Sequence, residues 1–150
     1  MGVTATRTFS ALALAATAVV GTASQASAEY DDSKTVWTTD RCGSLEFVDY
    51  GEGEPGGGPD DDYMLVRDHC DDGFHVRGDV WVGWSWYGVA YQRGGPSAAP
   101  LYWDPFAEEE DELVAGSRFG FPVCLVDPTA PDPGYLGFNC TNAEVTMVDG

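Results

Sequence analysis

Four cysteines, Cys42, Cys70, Cys124 and Cys140, constrain this chain more than any other feature, because all four lie downstream of a segment that reads as a secretory leader. Within residues 1–28 the only charge is Arg7, an apolar run follows from Phe9 to about Val20, and Ala26-Ser27-Ala28 has the small-x-small form of a cleavage site. Cleavage before Glu29 would leave 122 residues in an oxidising compartment, where paired cysteines form disulfides. A zinc site usually shows cysteines two to four residues apart, whereas the gaps here are 28, 54 and 16 residues. Of the three possible pairings, Cys42 with Cys70 and Cys124 with Cys140 is preferred, since each then closes a local loop. On the chain-entropy model each bridge stabilises by roughly 3–4 kcal/mol, which matters for a domain whose net stability is about 5–15 kcal/mol.

The segment after the leader, residues 29–150, has the size of one domain with a single core. It keeps all 25 acidic residues and loses only Arg7, so six basic residues face them, a net charge of −19. Nucleic acid and anionic membrane surfaces are bound by cationic patches, so neither is an expected partner. The leader's apolar run is shorter than the roughly 20 residues of a membrane span, and no later run approaches that length. The expectation is a secreted, extracellular monomer.

Apolar-rich stretches alternate with stretches that cannot pack. Strands are predicted at 35–39, 45–50, 63–70, 74–82, 84–91, 113–126, 135–140 and 144–148. Between them, "GEGEPGGGPDDD" (51–62), "GGPSAAP" (94–100) and "DPTAPDPG" (127–134) are loops by their Gly, Pro and Asp density. One helix is expected at most, capped by Asp104, with Pro105 in its first turn and Gly116 as its stop. Many short strands and two disulfides predict an all-β antiparallel sandwich, of which the immunoglobulin arrangement is one form.

Within "YMLVRDHCDDGFHVRGDVWV" (63–82), a three-residue turn at Asp71-Asp72-Gly73 would join two strands as a hairpin with Cys70 opposite Phe74. Met64, Val66, Asp68, Val76, Gly78 and Val80 then share an apolar face. On the other face Arg67 would oppose Arg77, with Asp79 relieving their repulsion, and His69 would oppose His75. Arg77-Gly78-Asp79 is also the tripeptide read by adhesion receptors, but inside a strand it has a structural role. Arg67, Arg77, His69 and His75 would form a cationic strip for an anionic group or acidic partner loop. The two imidazoles, with Asp71, are also a conceivable transition-metal site.

Other chemistry is thinly signalled. On the calcium-loop pattern Asp68, Asp72 and Gly73 fit positions one, five and six, but Cys70 occupies a ligand position and Asp79 replaces the bidentate Glu. Asp60 to Asp62 and Glu108 to Glu112 are charge runs without ligand spacing. No cofactor is expected; a calcium ion held in a loop outside this pattern is the alternative to none. There is no G-x-S-x-G motif, and with 25 acids some carboxylate pair always suits glycoside hydrolysis. No catalytic residue is assigned. Asn139-Cys140-Thr141 matches the glycan acceptor, but its cysteine is expected to be bridged.

The aromatic residues are more informative. "VWVGWSWYGVAY" (80–91) concentrates Trp81, Trp84 and Trp86 with Tyr87 and Tyr91. Such rings either fill a core or remain exposed as a binding face, and alternation sets Trp84 and Trp86 on one side with Tyr87 on the other.

"DHCDDGFHVRGDVWV" and "SRFGFPVCLVDP…GYLGFNC" together resemble the small secreted actinobacterial β-sandwich proteins of unknown function, through Asp68, Asp72, Gly73, Val76, Phe121, Val123, Cys124 and Cys140. The resemblance implies structural turns and disulfides, and it carries no catalytic or binding residue. The functional expectation is a non-catalytic extracellular binding or interaction protein. Its alternatives are polysaccharide binding through Trp81, Trp84 and Trp86, protease inhibition through loop 94–100 or 127–134, and a small secreted hydrolase.

Overall fold

A computed structural model describes residues 31–49, 62–106, 113–130 and 137–148. The expected leader (1–28), all but the last residue of the expected loop 51–62 and most of the expected helix lie outside these residues. Among the described residues, eight strands form two antiparallel four-stranded sheets. The first contains β1 (Lys34–Trp37), β2 (Gly43–Val48), β3 (Tyr63–Asp68) and β6 (Leu101–Trp103), in the order β1-β2-β3-β6. The second contains β4 (His75–Val82), β5 (Ser85–Gln92), β7 (Arg118–Val126) and β8 (Gly137–Thr146), in the order β5-β4-β7-β8. The result is a β-sandwich in which β1 to β3 form a meander, an order different from the immunoglobulin one. Both expected disulfides, Cys42–Cys70 and Cys124–Cys140, are present.

The predicted β3–β4 hairpin is not formed, because the two strands belong to different sheets. After Asp68 the chain stays tied to β2 by the Cys42–Cys70 bridge and by the His69 N–H donating to the Cys42 carbonyl. It then crosses to the opposite sheet through Asp71-Asp72-Gly73. There Asp72 accepts the Phe74 N–H and Gly73 takes φ 80°, a left-handed conformation that glycine adopts without strain. The expected inward set is correct: Met64, Val66, Val76 and Val80 are fully buried. They face each other across the interlayer core instead of lying side by side in one sheet.

Complementary shapes join the layers. Gly78 leaves room for Leu45, since an added Cβ would lie 2.8 Å from a Leu45 methyl. Gly43 does the same for Val76, at 2.7 Å. Phe47 meets Phe119 edge-on at 4.6 Å, and Phe119 stacks on Phe121 at 5.5 Å. Alternation along β7 is what buries Phe119, Phe121, Val123 and Leu125 and turns Arg118, Gly120 and Pro122 outward.

Three further boundaries differ from the sequence reading. Residues 113–117 precede β7 as a turn, closed by the Ser117 N–H on the Val114 carbonyl. The two predicted C-terminal strands are one continuous β8 from Gly137 to Thr146, its register against β7 shifting between Val123 and Leu125. The short β6 lacks alternation long enough to be read from sequence. Among the described residues there is no helix; Asp104 instead accepts the Phe106 N–H in a local turn that leads into the buried Phe106.

Candidate functional site

The hairpin between β4 and β5 projects the tryptophans into solvent. Gly83, at φ 58°, forms its turn with Trp84. The register advances in step from Val76↔Gln92 to Val80↔Gly88, then shifts so that Trp81 pairs with Trp86 and Tyr87 is the extra residue. This bulge sorts the aromatics. Tyr87 turns inward against Phe106 at 5.9 Å, while Trp86 joins Trp81 on the outer face. Trp81 is 43%, Trp84 100% and Trp86 54% exposed, so the core does not absorb this cluster.

One row of residues crosses the whole second sheet on its outer face. Trp86 pairs with Trp81, Trp81 with Gly120, and Gly120 with Glu144. The next row places Val89 beside Asp79 and Pro122 beside Asn142. Since Gly120 has no side chain, the sheet surface dips between the Trp81 ring and Glu144. A groove of about 590 Å³ opens there, with Trp84 at one end and Asn142 at the other. Arg118 and Glu144, both exposed, form an ion pair beside it. Sequence reasoning found the tryptophans but missed Arg118, Gly120, Pro122, Asn142 and Glu144. Alternation around Phe119 and Phe121 marks the first three as outward-facing, but nothing in the sequence shows that β7 lies beside β4.

The expected cationic strip is not assembled, for the same reason that the hairpin fails. Arg67 lies on the outer face of the first sheet, 3.4 Å from Glu46, whereas Arg77 lies on the outer face of the second. Arg77 is paired with Asp79 at 2.6 Å, the two side chains being 20% and 7% exposed. The Pro122 N–H is absent from the β4–β7 ladder, which lapses after Gly78↔Val123 and resumes at Trp81↔Gly120, so Asp79 falls opposite Pro122. The Arg-Gly-Asp tripeptide is therefore built into an interior strand: its charges pair on the outer face and its glycine receives Leu45.

The histidines are separated too. His69 packs on Trp37 with ring centroids 4.6 Å apart and shares a 2.9 Å hydrogen bond with Ser44. His75 pairs with Val126 and lines, with Tyr91 and Arg93, a hollow of about 290 Å³. Neither belongs to a cluster of three potential metal ligands among the described residues. The one such cluster there is Cys42, Cys70 and Asp72, and its sulfurs are already joined to each other.

Two of the residues weighed against the calcium-loop pattern have other partners. Asp68 is buried and accepts the Cys70 N–H, while Asp79 is committed to Arg77. Burial pushes the Asp68 carboxyl above its ordinary range, assisted by the nearby Asp72 charge and opposed by the Cys70 N–H and both histidines. Asp40 moves the other way: partial burial favours its neutral form, but hydrogen bonds from Thr38, the Cys42 N–H and Asn139 outweigh it. Asp40 thereby fastens the β1–β2 turn to β8, where the Thr39 N–H also donates to the Asn139 carbonyl.

Compared with known proteins, the chain matches no protein-family model, no curated protein and no solved structure.

Proposed function

We propose that this protein is a non-catalytic extracellular binding protein whose recognition surface is the outer face of the second sheet around Trp81, Trp84 and Trp86, and that its ligand is a polysaccharide. The exposure of three neighbouring tryptophans carries the reading. At about 150–250 Å² per ring, their exposed fractions leave roughly two rings' worth of apolar surface, about 400 Å², in water. The largest apolar patch on a monomer is commonly of this size, about 300–600 Å², and is often functional.

Sugars suit such a surface because a pyranose has an apolar C–H face that stacks on an aromatic ring and a polar hydroxyl rim that needs hydrogen-bond partners. The groove beside the rings supplies both kinds of contact, and its volume lies within the usual range for ligand sites. Glycoside hydrolysis uses two flanking carboxylates; the lining of this groove has one, Glu144, and it is engaged by Arg118.

The test is depletion of the purified protein from solution by insoluble cellulose, chitin and bacterial cell wall, with and without calcium. Depletion that is lost in Trp84→Ala and Trp86→Ala supports the reading. Depletion unchanged in both variants, or none on any support, overturns it.

A further inference from the structure

Resting on that reading, we infer that the polysaccharide is uncharged and that its chain crosses the strands through the groove over Gly120, from Trp84 and Trp81 to Asn142 and Glu144. From Trp81 through Gly120 to Glu144 the groove crosses three strands, about 10 Å at the usual spacing between strands, and Trp84 extends it at the hairpin turn. That length suits an extended chain of two or more sugars better than one compact molecule. Along this path the contacts change from ring faces to amide, guanidinium and carboxylate groups. An elongated ligand with apolar faces and a hydroxylated rim satisfies both ends. An apolar protein surface laid over the same path would desolvate Arg118, Glu144 and Asn142 without offering them partners, at a cost for each group.

Charge selects among polysaccharides. Arg118 and Glu144, the two charged residues that line the groove, are paired with each other, so the lining itself presents no surplus charge to a ligand; the Lys34 ammonium close by is engaged with the Glu144 carbonyl. The chain as a whole carries −18, which repels an anionic polymer. A cationic polymer would be drawn to the acidic surface generally, with an affinity that salt screens. An uncharged chain stacked on tryptophans is held without dependence on salt.

Gly120 is the steric determinant. Its φ lies outside the left-handed region, and an added Cβ would meet neighbours no closer than 3.6 Å, so the sheet tolerates a side chain there. A branched side chain at this position rises into the groove.

The experiment measures retention of the wild-type protein, Trp84→Ala, Gly120→Leu and Asn142→Ala on cellulose and chitin (uncharged), alginate gel (anionic) and chitosan (cationic), at about 0.1 M and about 1 M salt. The expected result is salt-independent retention on an uncharged support, weakened about tenfold or more by Trp84→Ala and by Gly120→Leu, with unchanged thermal melting. Wild-type-like retention of a folded Gly120→Leu, while Trp84→Ala loses it, overturns the groove path and leaves the tryptophan face standing. Should Gly120→Leu fail to fold, Asn142→Ala decides, and undiminished retention overturns the path. Retention confined to alginate or chitosan overturns the uncharged ligand. Absence of retention on every support overturns this inference and the reading beneath it together.

Discussion

Replacing Asp79 with alanine removes the carboxylate that neutralises the Arg77 guanidinium on the outer face of a strand hydrogen-bonded on both sides. The pair is 2.6 Å apart with Asp79 nearly enclosed, while Arg77 retains some contact with solvent. Removing one partner of a buried ion pair costs about 3–5 kcal/mol, and the exposure of Arg77 puts the expected loss at the low end, about 3 kcal/mol. For a domain of this size each kcal/mol shifts the melting temperature by about 4 °C, so Asp79→Ala should melt about 12 °C below wild type. Arg77→Met combined with Asp79→Leu should recover most of that loss, because an apolar pair removes both charges and their desolvation. Urea denaturation of the wild type, Arg77→Met, Asp79→Leu and the variant that combines them closes the cycle, provided the slope against urea is constant. A single variant melting within about 3 °C of wild type, or strict additivity in the cycle, would refute the assignment of a structural role to this tripeptide. The same construction makes it unavailable to adhesion receptors, so a soluble Arg-Gly-Asp peptide should not compete with any cell attachment to the immobilised protein.

Gly78→Val should destabilise by about 1–3 kcal/mol through overpacking, since its Cβ would press within 2.8 Å of Leu45; thermal melting checks this, and Leu45→Ala in the same chain should recover part of the loss. Trp84→Ala should leave stability within about 0.5 kcal/mol of wild type, because the ring is fully exposed. Asp68→Asn should stabilise the fold at neutral pH while keeping an oxygen to accept the Cys70 N–H. The sign follows from the raised carboxyl: the folded state holds the proton more tightly, so stability from this group is full below its unfolded-state pKa and falls as pH rises through the folded one. The advantage of Asn should therefore vanish in acid, and urea midpoints across pH test it; an Asn variant less stable at neutral pH would contradict it.

Much of the fold is legible in the sequence because alternation reports which side chains face inward, and it did so correctly for Met64 and Val66 of β3 and for Val76 and Val80 of β4. It does not report which sheet a strand joins. Met64 and Val66 carry the same pattern whether Val76 and Val80 stand beside them or opposite them, so the hairpin and the crossover are equivalent by hydrophobicity. Asp71-Asp72-Gly73 suits either connection, since a left-handed glycine serves a tight turn and a longer loop alike. The disulfides were legible through loop length, because both bridges hold together strands that are neighbours in one sheet: Cys42 and Cys70 flank the β2–β3 pair, and Cys124 and Cys140 lie within β7 and β8. Every misplacement of the charged residues follows from the one lost hairpin: Arg67, Arg77, His69 and His75 form a strip only if β3 and β4 share a sheet.

The candidate site divides along the same line. Its tryptophans are local in sequence, and the bulge at Tyr87 is what reconciles their number with a sandwich core. Without the extra residue, the register that pairs Val80 with Gly88 would set Trp81 opposite Tyr87 and turn Trp86 towards the interior, where Trp103 already approaches Gly88. The other half is non-local: Gly120 and Glu144 come beside Trp81 only because β7 lies between β4 and β8. A glycine between Phe119 and Phe121 looks from sequence like a weak point in a strand. Placed next to Trp81 in the folded sheet, it opens the space that lets an exposed ring become one wall of a groove.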